Sequence, residues 1–356
     1  MNLWHLYWDD IPRIIRDGMQ GDEMERLRHV GMNCGCEYTS FPLFRSMRDR
    51  YTRYEHSVGT ALITWRFTRD PAQALAALFH DVATPCFAHV IDFMCGDYLH
   101  QESTEERTRE FIERSEYLQD VLKRYGLATD DVADYHRYPV ADNDSPRLSA
   151  DRLEYTCGNL VNYGIRTEAG IRDLLDDLTV GTNEDGEDEL VFLTREKAIR
   201  FAEGALETGK IYVADEDRFA MQALATLLKQ AIQAGTLTLQ DLWTDEPSVI
   251  RKLCADPEQK IRWEYFCGYR RILHNEKAGI VVPAKKRFID PLVKDRGRAS
   301  ALDRSFRDAV RAFLDEPQDV PLTGVSGFLP EPEEGTFTRI GLNDFYDLLM
   351  EQQEQM

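Results

Sequence analysis

A charged pair inside an apolar run constrains this chain more than any other feature. Residues 76–93 have the sequence AALFHDVATPCFAHVIDF, a buried helical pattern interrupted by His80 and Asp81. An aspartate is rarely buried unless it is paired or binds a metal ion. Adjacent helical side chains point about 100° apart, so both can reach one ion only if it lies over the ridge between them. Further ligands must then come from other helices, which predicts several helices converging on this pair.

Helical patterns dominate up to residue 178. Asp70 and Pro71 are typical of a helix start, and residues 104–126 form one charged amphipathic pattern. Residues 179–193 instead show two β-prone runs around an acidic Asp185-Gly186 turn, which predicts a hairpin. Helical patterns return after it, and residues 279–293 suggest a second small strand pair around Pro283. The predicted fold is mainly α, with small β-hairpin additions and a helical C-terminal region.

Charge and composition limit the classes of partner. The net charge is −20, from 63 acidic and 43 basic residues, which argues against general binding to nucleic acid or membrane surfaces. No uninterrupted run approaches the roughly 18 apolar residues of a membrane span, and the first residues do not resemble a signal peptide. Seven scattered cysteines fit reduced thiols better than a disulfide framework. We therefore expect a cytoplasmic protein with no membrane partner.

The residue types around the central pair suit a metal ion. His56 and Asp151 also lie in helical segments with apolar neighbours, and a set of two histidines and two aspartates suits one divalent ion with open positions. Manganese, iron, nickel, zinc and magnesium are candidates, and the two imidazoles favour a transition metal. The absence of thiolates argues against a structural zinc site. The alternative is a buried ion-pair cluster, in which a histidine or arginine neutralises Asp81 without any metal.

The motifs RYEHSVG, AALFHDVATPCFAHVID and DRLEY, together with RLRHVG at residues 26–31, resemble the HD superfamily of metal-dependent phosphohydrolases. They are most similar to its deoxynucleotide triphosphohydrolase branch, over residues 26 to about 163. The resemblance implies an HD-type metal-binding helical core with an N-terminal extension at residues 1–178. Residues 179–356 would be a hairpin and a helical region packed on that core, and a homo-oligomer is plausible.

The resemblance also implies roles for particular residues. The metal ligands would be His56, His80, Asp81 and Asp151. Substrate contacts would come from Arg53, which can bind two phosphate oxygens at once, and from Arg152 and Tyr155. The catalytic positions, close to the phosphates and responsible for proton transfer, would be His89, Asp92 and His100.

Two departures from the family pattern affect the expected activity, and one further charged group stands apart. Thr84 stands where that branch has a histidine for acid–base chemistry, and threonine cannot shuttle protons near neutral pH. Residues 212–219, YVADEDRF, are acidic where relatives tend to contact the triphosphate, so either these residues face solvent or the substrate is less anionic. A basic group stands out in the C-terminal region. It is either a solvated face of a hairpin or a site for a phosphate, a nucleotide effector or an acidic neighbouring subunit: Lys285, Lys286, Arg287, Lys294, Arg296 and Arg298.

The favoured function is metal-dependent hydrolysis of a phosphate ester, with a nucleotide as substrate, either dNTP-like or less phosphorylated. In this hypothesis the ion acts as Lewis acid and nucleophile source. Two alternatives remain open. The chain could be a catalytically weakened, nucleotide-binding sensor, or a phosphodiesterase that acts on dinucleotides or oligonucleotides.

Overall fold

The computed structural model describes residues 2–99 and 107–327. This part of the chain is mainly helical, which confirms the predicted fold class. The α-helices are α1 (Trp4–Tyr7), α2 (Arg13–Gly18), α3 (Asp22–Leu27), α4 (Pro42–Arg45), α5 (Arg53–Thr68), α6 (Pro71–Phe79), α7 (Val90–Cys95), α8 (Thr108–Arg114), α9 (Glu116–Arg124), α10 (Ala150–Asn162), α11 (Glu168–Leu175), α12 (Arg195–Ile211), α13 (Asp215–Gln233), α14 (Glu246–Ala255), α15 (Pro257–Cys267), α16 (Ala299–Leu302) and α17 (Arg304–Asp315). Short 3-10 helices lie at Cys36–Tyr38, Thr129–Asp131, Tyr135–Arg137 and Leu239–Trp243.

Two small sheets accompany the helices. Their strands are β1 (Leu178–Thr182), β2 (Asp188–Phe192), β3 (Tyr269–His274), β4 (Leu292–Val293), β5 (Gly297–Arg298) and β6 (Leu322–Ser326). One sheet has the order β1-β2-β4-β5. In it β1 and β2 pair antiparallel with Leu178 opposite Phe192, which confirms the predicted hairpin. The other sheet pairs β3 antiparallel to β6, with His274 opposite Leu322.

Local signals fix where the helices of the site begin. Thr52 and Glu55 form a reciprocal capping box at the start of α5, in which Glu55 accepts from the Thr52 backbone N–H at 2.8 Å. Asp70 accepts from the backbone N–H of Ala72 at 2.8 Å, with Pro71 in the first turn, so the predicted start of α6 is confirmed. Ser149 caps α10 by accepting from the backbone N–H of Arg152 at 3.2 Å.

Two local predictions are wrong. The amphipathic pattern after residue 107 is broken at Ser115, whose hydroxyl caps α9 and thereby ends α8. Residues 281–290 contain no strand; instead Ile280 forms an isolated bridge with Leu322, and the strand that precedes this segment, β3, pairs with the distant β6. Proline at position 283 cannot donate to a ladder, which is consistent with an irregular path there.

Two large apolar clusters form the interior. The first surrounds α5, α6 and α10 and includes Ile63, Leu78 and Leu153, so the three helices that carry the candidate ligands share one core. The second joins α7 to α13 and α15 through residues such as Phe93 and Leu224. In the described residues, no helix is both long and apolar enough to cross a membrane. The predicted boundary at residue 178, between the metal-binding core and the C-terminal region, stays a prediction.

Candidate metal centre

Helices α5, α6 and α10 bring three predicted ligands together. His56 lies on α5, His80 directly follows α6, and Asp151 lies in the first turn of α10. The Nε2 atom of His56 is 2.9 Å from Asp151 Oδ1 and 3.2 Å from His80 Nε2. His80 Nε2 is 3.5 Å from Asp151 Oδ1. These three residues form a group that could hold a metal ion.

The donor spacing fits one divalent ion. Histidine and carboxylate ligands lie about 2.0–2.2 Å from a metal such as zinc, so neighbouring ligand atoms around it are about 3.0–3.5 Å apart. The separations in the cluster lie close to this range before any rearrangement. Two imidazole nitrogens with carboxylate oxygen suit a borderline transition metal. The chemistry and spacing of the donors therefore fit the predicted ion.

Asp81 lies beside this group but is also bound by an arginine. Its Oδ2 is 3.5 Å from His80 Nε2 and 3.9 Å from His56 Nε2. Arg53 Nη1 donates to both of its oxygens at 2.9 Å, and Thr84 Oγ1 donates to Oδ1 at 2.7 Å. Burial opposes ionisation of Asp81, but the charges of Arg53 and the two histidines, with the hydrogen bond from Thr84, together hold the pKa of this carboxyl well below its usual range. Asp81 therefore stays ionised and able to act as a ligand, and Thr84 helps to orient it.

Hydrogen bonds behind the histidines set which nitrogen faces the cluster. His80 Nδ1 donates to the backbone carbonyl of Ala77 at 2.7 Å, which leaves Nε2 as the ligand atom. His56 Nδ1 lies 2.6 Å from Glu154 Oε2. Burial opposes protonation of His56, but hydrogen bonds to Asp151 and Glu154 raise its pKa to about 10. The positive charge of protonated His56 balances the negative charges of Asp151 and Glu154.

Glu154 is a site residue that the sequence analysis missed. Its carboxylate is buried and accepts hydrogen bonds from Tyr51 and, at 3.2 Å, from Tyr7, besides that from His56. Gly59 makes room for it, because a Cβ there would lie 2.5 Å from Glu154 Oε1. The segment DRLEY contains Glu154 one residue before Tyr155. Glu154 lies three residues after Asp151, on the same face of the helix, and this spacing could have indicated that it belongs to the site.

A partly buried arginine stabilises the turn that follows His80 and Asp81. Arg26, from the RLRHVG segment, donates to the backbone carbonyls of Val82 at 3.0 Å and Thr84 at 2.7 Å. Burial lowers the pKa of Arg26 to about 10, so the guanidinium remains charged at neutral pH. The sequence analysis quoted this segment without assigning the arginine a role. Arg26 holds the turn that carries Thr84.

The structure pairs the predicted catalytic residues His89 and Asp92. His89 Nδ1 is 2.9 Å from Asp92 Oδ2, and the Asp92 side chain is fully buried. The preceding residues Phe87 and Ala88 have φ of 63° and 43°, the left-handed region that costs energy for residues other than glycine. His89 directly follows this strained turn. Burial lowers its pKa, the hydrogen bond with Asp92 opposes this, and the positive charges of Arg287 and Arg53 add to the lowering. His100 lies outside the described residues.

The two predicted substrate residues of α10 occupy different environments. Arg152 is engaged internally, with Nη1 3.0 Å from Asp142 Oδ1 and Nε donating to the Arg147 carbonyl at 2.7 Å. Its geometry indicates a structural role in holding the loop before α10. Tyr155 remains beside the cluster, with its ring centroid 6.4 Å from that of His56.

Comparisons with known proteins identify a domain in the region that contains the cluster. A model of the HD domain matches residues 53–178, a range that contains the cluster residues His56, His80, Asp81 and Asp151. The uncharacterized protein YdhJ of Bacillus subtilis is 25% identical over 211 residues, covering 59% of this chain and 63% of that protein. This chain therefore matches just under two thirds of the length of YdhJ. The metal-dependent phosphohydrolase cns2 of Cordyceps militaris is 24% identical over 299 residues, covering 78% of this chain and 80% of that protein.

Two solved structures share the fold. A hypothetical protein from Aquifex aeolicus aligns with a TM-score of 0.52 and 18% identity, over 74% of this chain and 75% of that one. A phosphohydrolase from Bacteroides thetaiotaomicron aligns with a TM-score of 0.57 and 15% identity, over 89% of this chain and 96% of that one. At these identities the likeness establishes the fold alone.

Proposed function

We propose that this chain, whose residues 53–178 match the HD domain, is a metal-dependent phosphohydrolase that hydrolyses a small phosphorylated substrate and that this substrate is a nucleotide. The observation that carries the proposal is the convergence of His56, His80 and Asp151 at the spacing of ligands around one ion, with Asp81 at its edge. A metal-free ion-pair cluster would account for the charges. It would not require two histidines whose Nε2 atoms face each other at 3.2 Å.

The proposed ligands are His56, His80, Asp81 and Asp151. A divalent ion held there supplies Lewis-acid polarisation of a phosphoryl oxygen and activation of water. We leave its identity open among transition metals and magnesium, with the two imidazoles favouring the former.

Arg53 is suited to a phosphate at the same place. Its guanidinium is largely buried, bonds Asp81 through Nη1, and has no hydrogen-bond partner for its Nε among residues 2–99 and 107–327. A phosphoryl oxygen could accept from this remaining donor while Asp81 keeps the guanidinium oriented. Charge-assisted hydrogen bonds of this kind strengthen as negative charge develops on the phosphoryl oxygens.

His89 is the proposed proton carrier. Because the Asp92 carboxylate can only accept, Nδ1 of His89 carries the hydrogen and Nε2 keeps its lone pair. The lowered pKa keeps the ring neutral near pH 7. In hydrolysis the bond between phosphorus and the leaving oxygen breaks. His89 Nε2 can take the proton of the attacking water and return it to that oxygen.

The direct test is product analysis with Asp151→Asn. Metal-stripped protein reloaded with Mn²⁺ would be incubated with AMP, dATP and bis(p-nitrophenyl) phosphate, and the products separated by chromatography. We expect release from a nucleotide by the wild-type chain and loss of that release in Asp151→Asn. The control Asp176→Asn removes a mostly exposed carboxylate at the end of α11 and should remain active.

Each other outcome contradicts a part of the proposal. Turnover retained in Asp151→Asn would exclude this cluster as the catalytic centre. Nucleotide binding without product would favour the sensor, and cleavage of the diester alone would favour the phosphodiesterase. Cytoplasmic location and self-association remain predictions.

A further inference from the structure

The last arginine of the basic group at residues 285–298 is bound within the protein. Arg298 lies on β5, and its Nη2 donates to Glu189 Oε2 at 2.8 Å and to Glu184 Oε2 at 2.6 Å, both on the hairpin of β1 and β2. Its Nη1 donates to Glu189 Oε1, so this pair is bidentate, and also to the backbone carbonyl of Asp290 at 3.1 Å. Arg298 therefore joins the hairpin to the segment that carries Asp290.

Glu189 extends this network to the loop that precedes α10. Its side chain is fully buried, and Oε1 also accepts from the backbone N–H of Leu148 at 3.2 Å. The backbone N–H of Asp290 donates to the Pro146 carbonyl at 2.8 Å, and Arg147 forms ion pairs with carboxylates of the hairpin turn. Three consecutive residues of the loop are therefore held by the hairpin and the segment after it.

The same loop fixes the backbone of the proposed ligand Asp151. The backbone N–H of Asp151 donates to the Ala141 carbonyl at 3.1 Å. Arg152, the next residue, binds both ends of the loop, because its Nη1 lies 3.0 Å from Asp142 Oδ1 and its Nε donates to the Arg147 carbonyl at 2.7 Å. A path of hydrogen bonds and ion pairs thus runs from the hairpin to the metal cluster.

The position of the Asp151 carboxylate leaves little room for displacement. Its Oδ1 is 2.9 Å from His56 Nε2 and 3.5 Å from His80 Nε2, and the distances from a metal ion to its ligands vary by only about 0.2 Å. Asp151 lies in the first turn of α10, directly after the loop, so a shift of the loop moves this carboxylate. Residues that orient ligands without touching the metal typically change metal affinity about 10- to 100-fold when they are replaced.

We propose that Arg298 and Glu189 are positioning residues for the metal centre. Their buried pair holds the loop at residues 138–149 and thereby sets the place of the Asp151 carboxylate among the other ligands. This inference rests on the proposed function, because it takes the cluster as a metal site. It gives the acidic hairpin and one arginine of the basic group a role in metal binding, although both follow residue 178.

The test combines metal affinity with local hydrogen exchange in the full-length chain. Calorimetry on metal-stripped protein gives the dissociation constant of Mn²⁺. Hydrogen–deuterium exchange of the same metal-free protein gives the protection of residues 138–152, which include the amide of Asp151.

Three variants separate positioning from general stability. Arg298→Lys keeps a positive charge beside the buried Glu189, but its ammonium cannot reproduce the planar fork that bonds several acceptors at once. Arg298→Gln removes the charge as well and is the more severe change. The control Arg296→Gln replaces an exposed arginine two residues away.

We expect Arg298→Gln to weaken Mn²⁺ binding about tenfold, the low end of the range for orienting residues, because the pair acts through a loop. Arg298→Lys should weaken it less, and Arg296→Gln should leave it unchanged. In both Arg298 variants exchange should rise in residues 138–152 and stay unchanged in α5 and α6. At saturating Mn²⁺ both variants should recover the wild-type kcat, since the defect is one of metal affinity.

The outcomes separate this inference from the function on which it rests. Mn²⁺ affinity and exchange in Arg298→Lys equal to those of Arg296→Gln would overturn the inference, even if Arg298→Gln fails to fold. Faster exchange throughout the chain with unchanged Mn²⁺ affinity would indicate a structural role alone and would also overturn it. Wild-type Mn²⁺ binding without turnover would contradict the hydrolase, while the expected pattern of affinity and exchange would still support the positioning role. A wild type that binds no Mn²⁺ would overturn both.

Discussion

Replacing Glu154 by glutamine tests whether the buried network behind His56 holds the ligand in place. Glu154 accepts from His56 Nδ1, Tyr51 and Tyr7, and all four side chains are buried. Glutamine keeps the volume but replaces one carboxylate oxygen by an NH₂ group, so at least one of the three donors loses its acceptor. A buried donor left unsatisfied costs about 1–3 kcal/mol of folding stability.

The same change should reach the metal through His56. Loss of a hydrogen-bonding partner behind a ligating histidine typically costs about 10- to 100-fold in metal affinity, or about 1.4–2.7 kcal/mol. We expect Mn²⁺ affinity, measured by calorimetry on metal-stripped protein, to fall by this factor in Glu154→Gln. The urea midpoint should fall as well.

The matched control is Glu168→Gln, in which another glutamate that contacts a histidine is replaced. Glu168 lies 3.3 Å from His5 Nε2, with both side chains about half exposed, so this pair contributes little. The control should leave Mn²⁺ affinity and stability nearly unchanged. A Glu154→Gln protein that folds normally and binds Mn²⁺ as tightly as the control would refute the orienting role.

Two further predictions concern buried carboxyls. Gly59→Ala should lower both stability and Mn²⁺ affinity, because overpacking against Glu154 costs about 1–3 kcal/mol and outweighs the gain of about 1 kcal/mol in helix propensity. The control Gly170→Ala, where the added Cβ has ordinary contacts, should be neutral or stabilising. Equal urea midpoints for the two variants would contradict this prediction. Burial raises the pKa of Glu37, and the negative charge of Glu246 raises it further. The folded chain therefore keeps a proton on Glu37 at pH values above about 4.5, where the unfolded chain has released it. The free energy of unfolding should therefore fall as the pH rises from the ordinary pKa of glutamate through the raised pKa of Glu37. In Glu37→Gln this decrease should be smaller. Urea midpoints of wild type and variant that change in parallel between about pH 5 and 9 would contradict this prediction.

The sequence predicted the candidate ligands because their residue types are unusual where they occur. A His-Asp pair in an apolar segment has few stable explanations. His56 and Asp151 are of suitable ligand types in helical segments with apolar neighbours, and the HD resemblance implied that all four residues form one ligand set. The helix start at Asp70 and the hairpin at residues 178–192 were predictable because their signals are local. Such signals act within a few residues and need no knowledge of the fold.

The interactions that support the site were not predictable in the same way. Glu154 meets His56 across 98 positions of sequence, and Arg26 reaches the Thr84 carbonyl across 58. Both depend on how α3, α5 and α10 pack, which a single sequence does not encode in any short pattern. The break at Ser115 shows the converse, because a local side-chain cap overrode a continuous amphipathic pattern.

Mn²⁺-dependent phosphate release from AMP tests the central claim most directly. The protein would be stripped with a chelator, assayed, reloaded with one equivalent of Mn²⁺ and assayed again, beside Asp81→Ala treated identically. We predict no release after stripping, recovery on reloading in the wild type, and no recovery in Asp81→Ala. Release that persists after complete stripping, or that recovers equally in Asp81→Ala, would contradict a catalytic metal centre at His56, His80, Asp81 and Asp151.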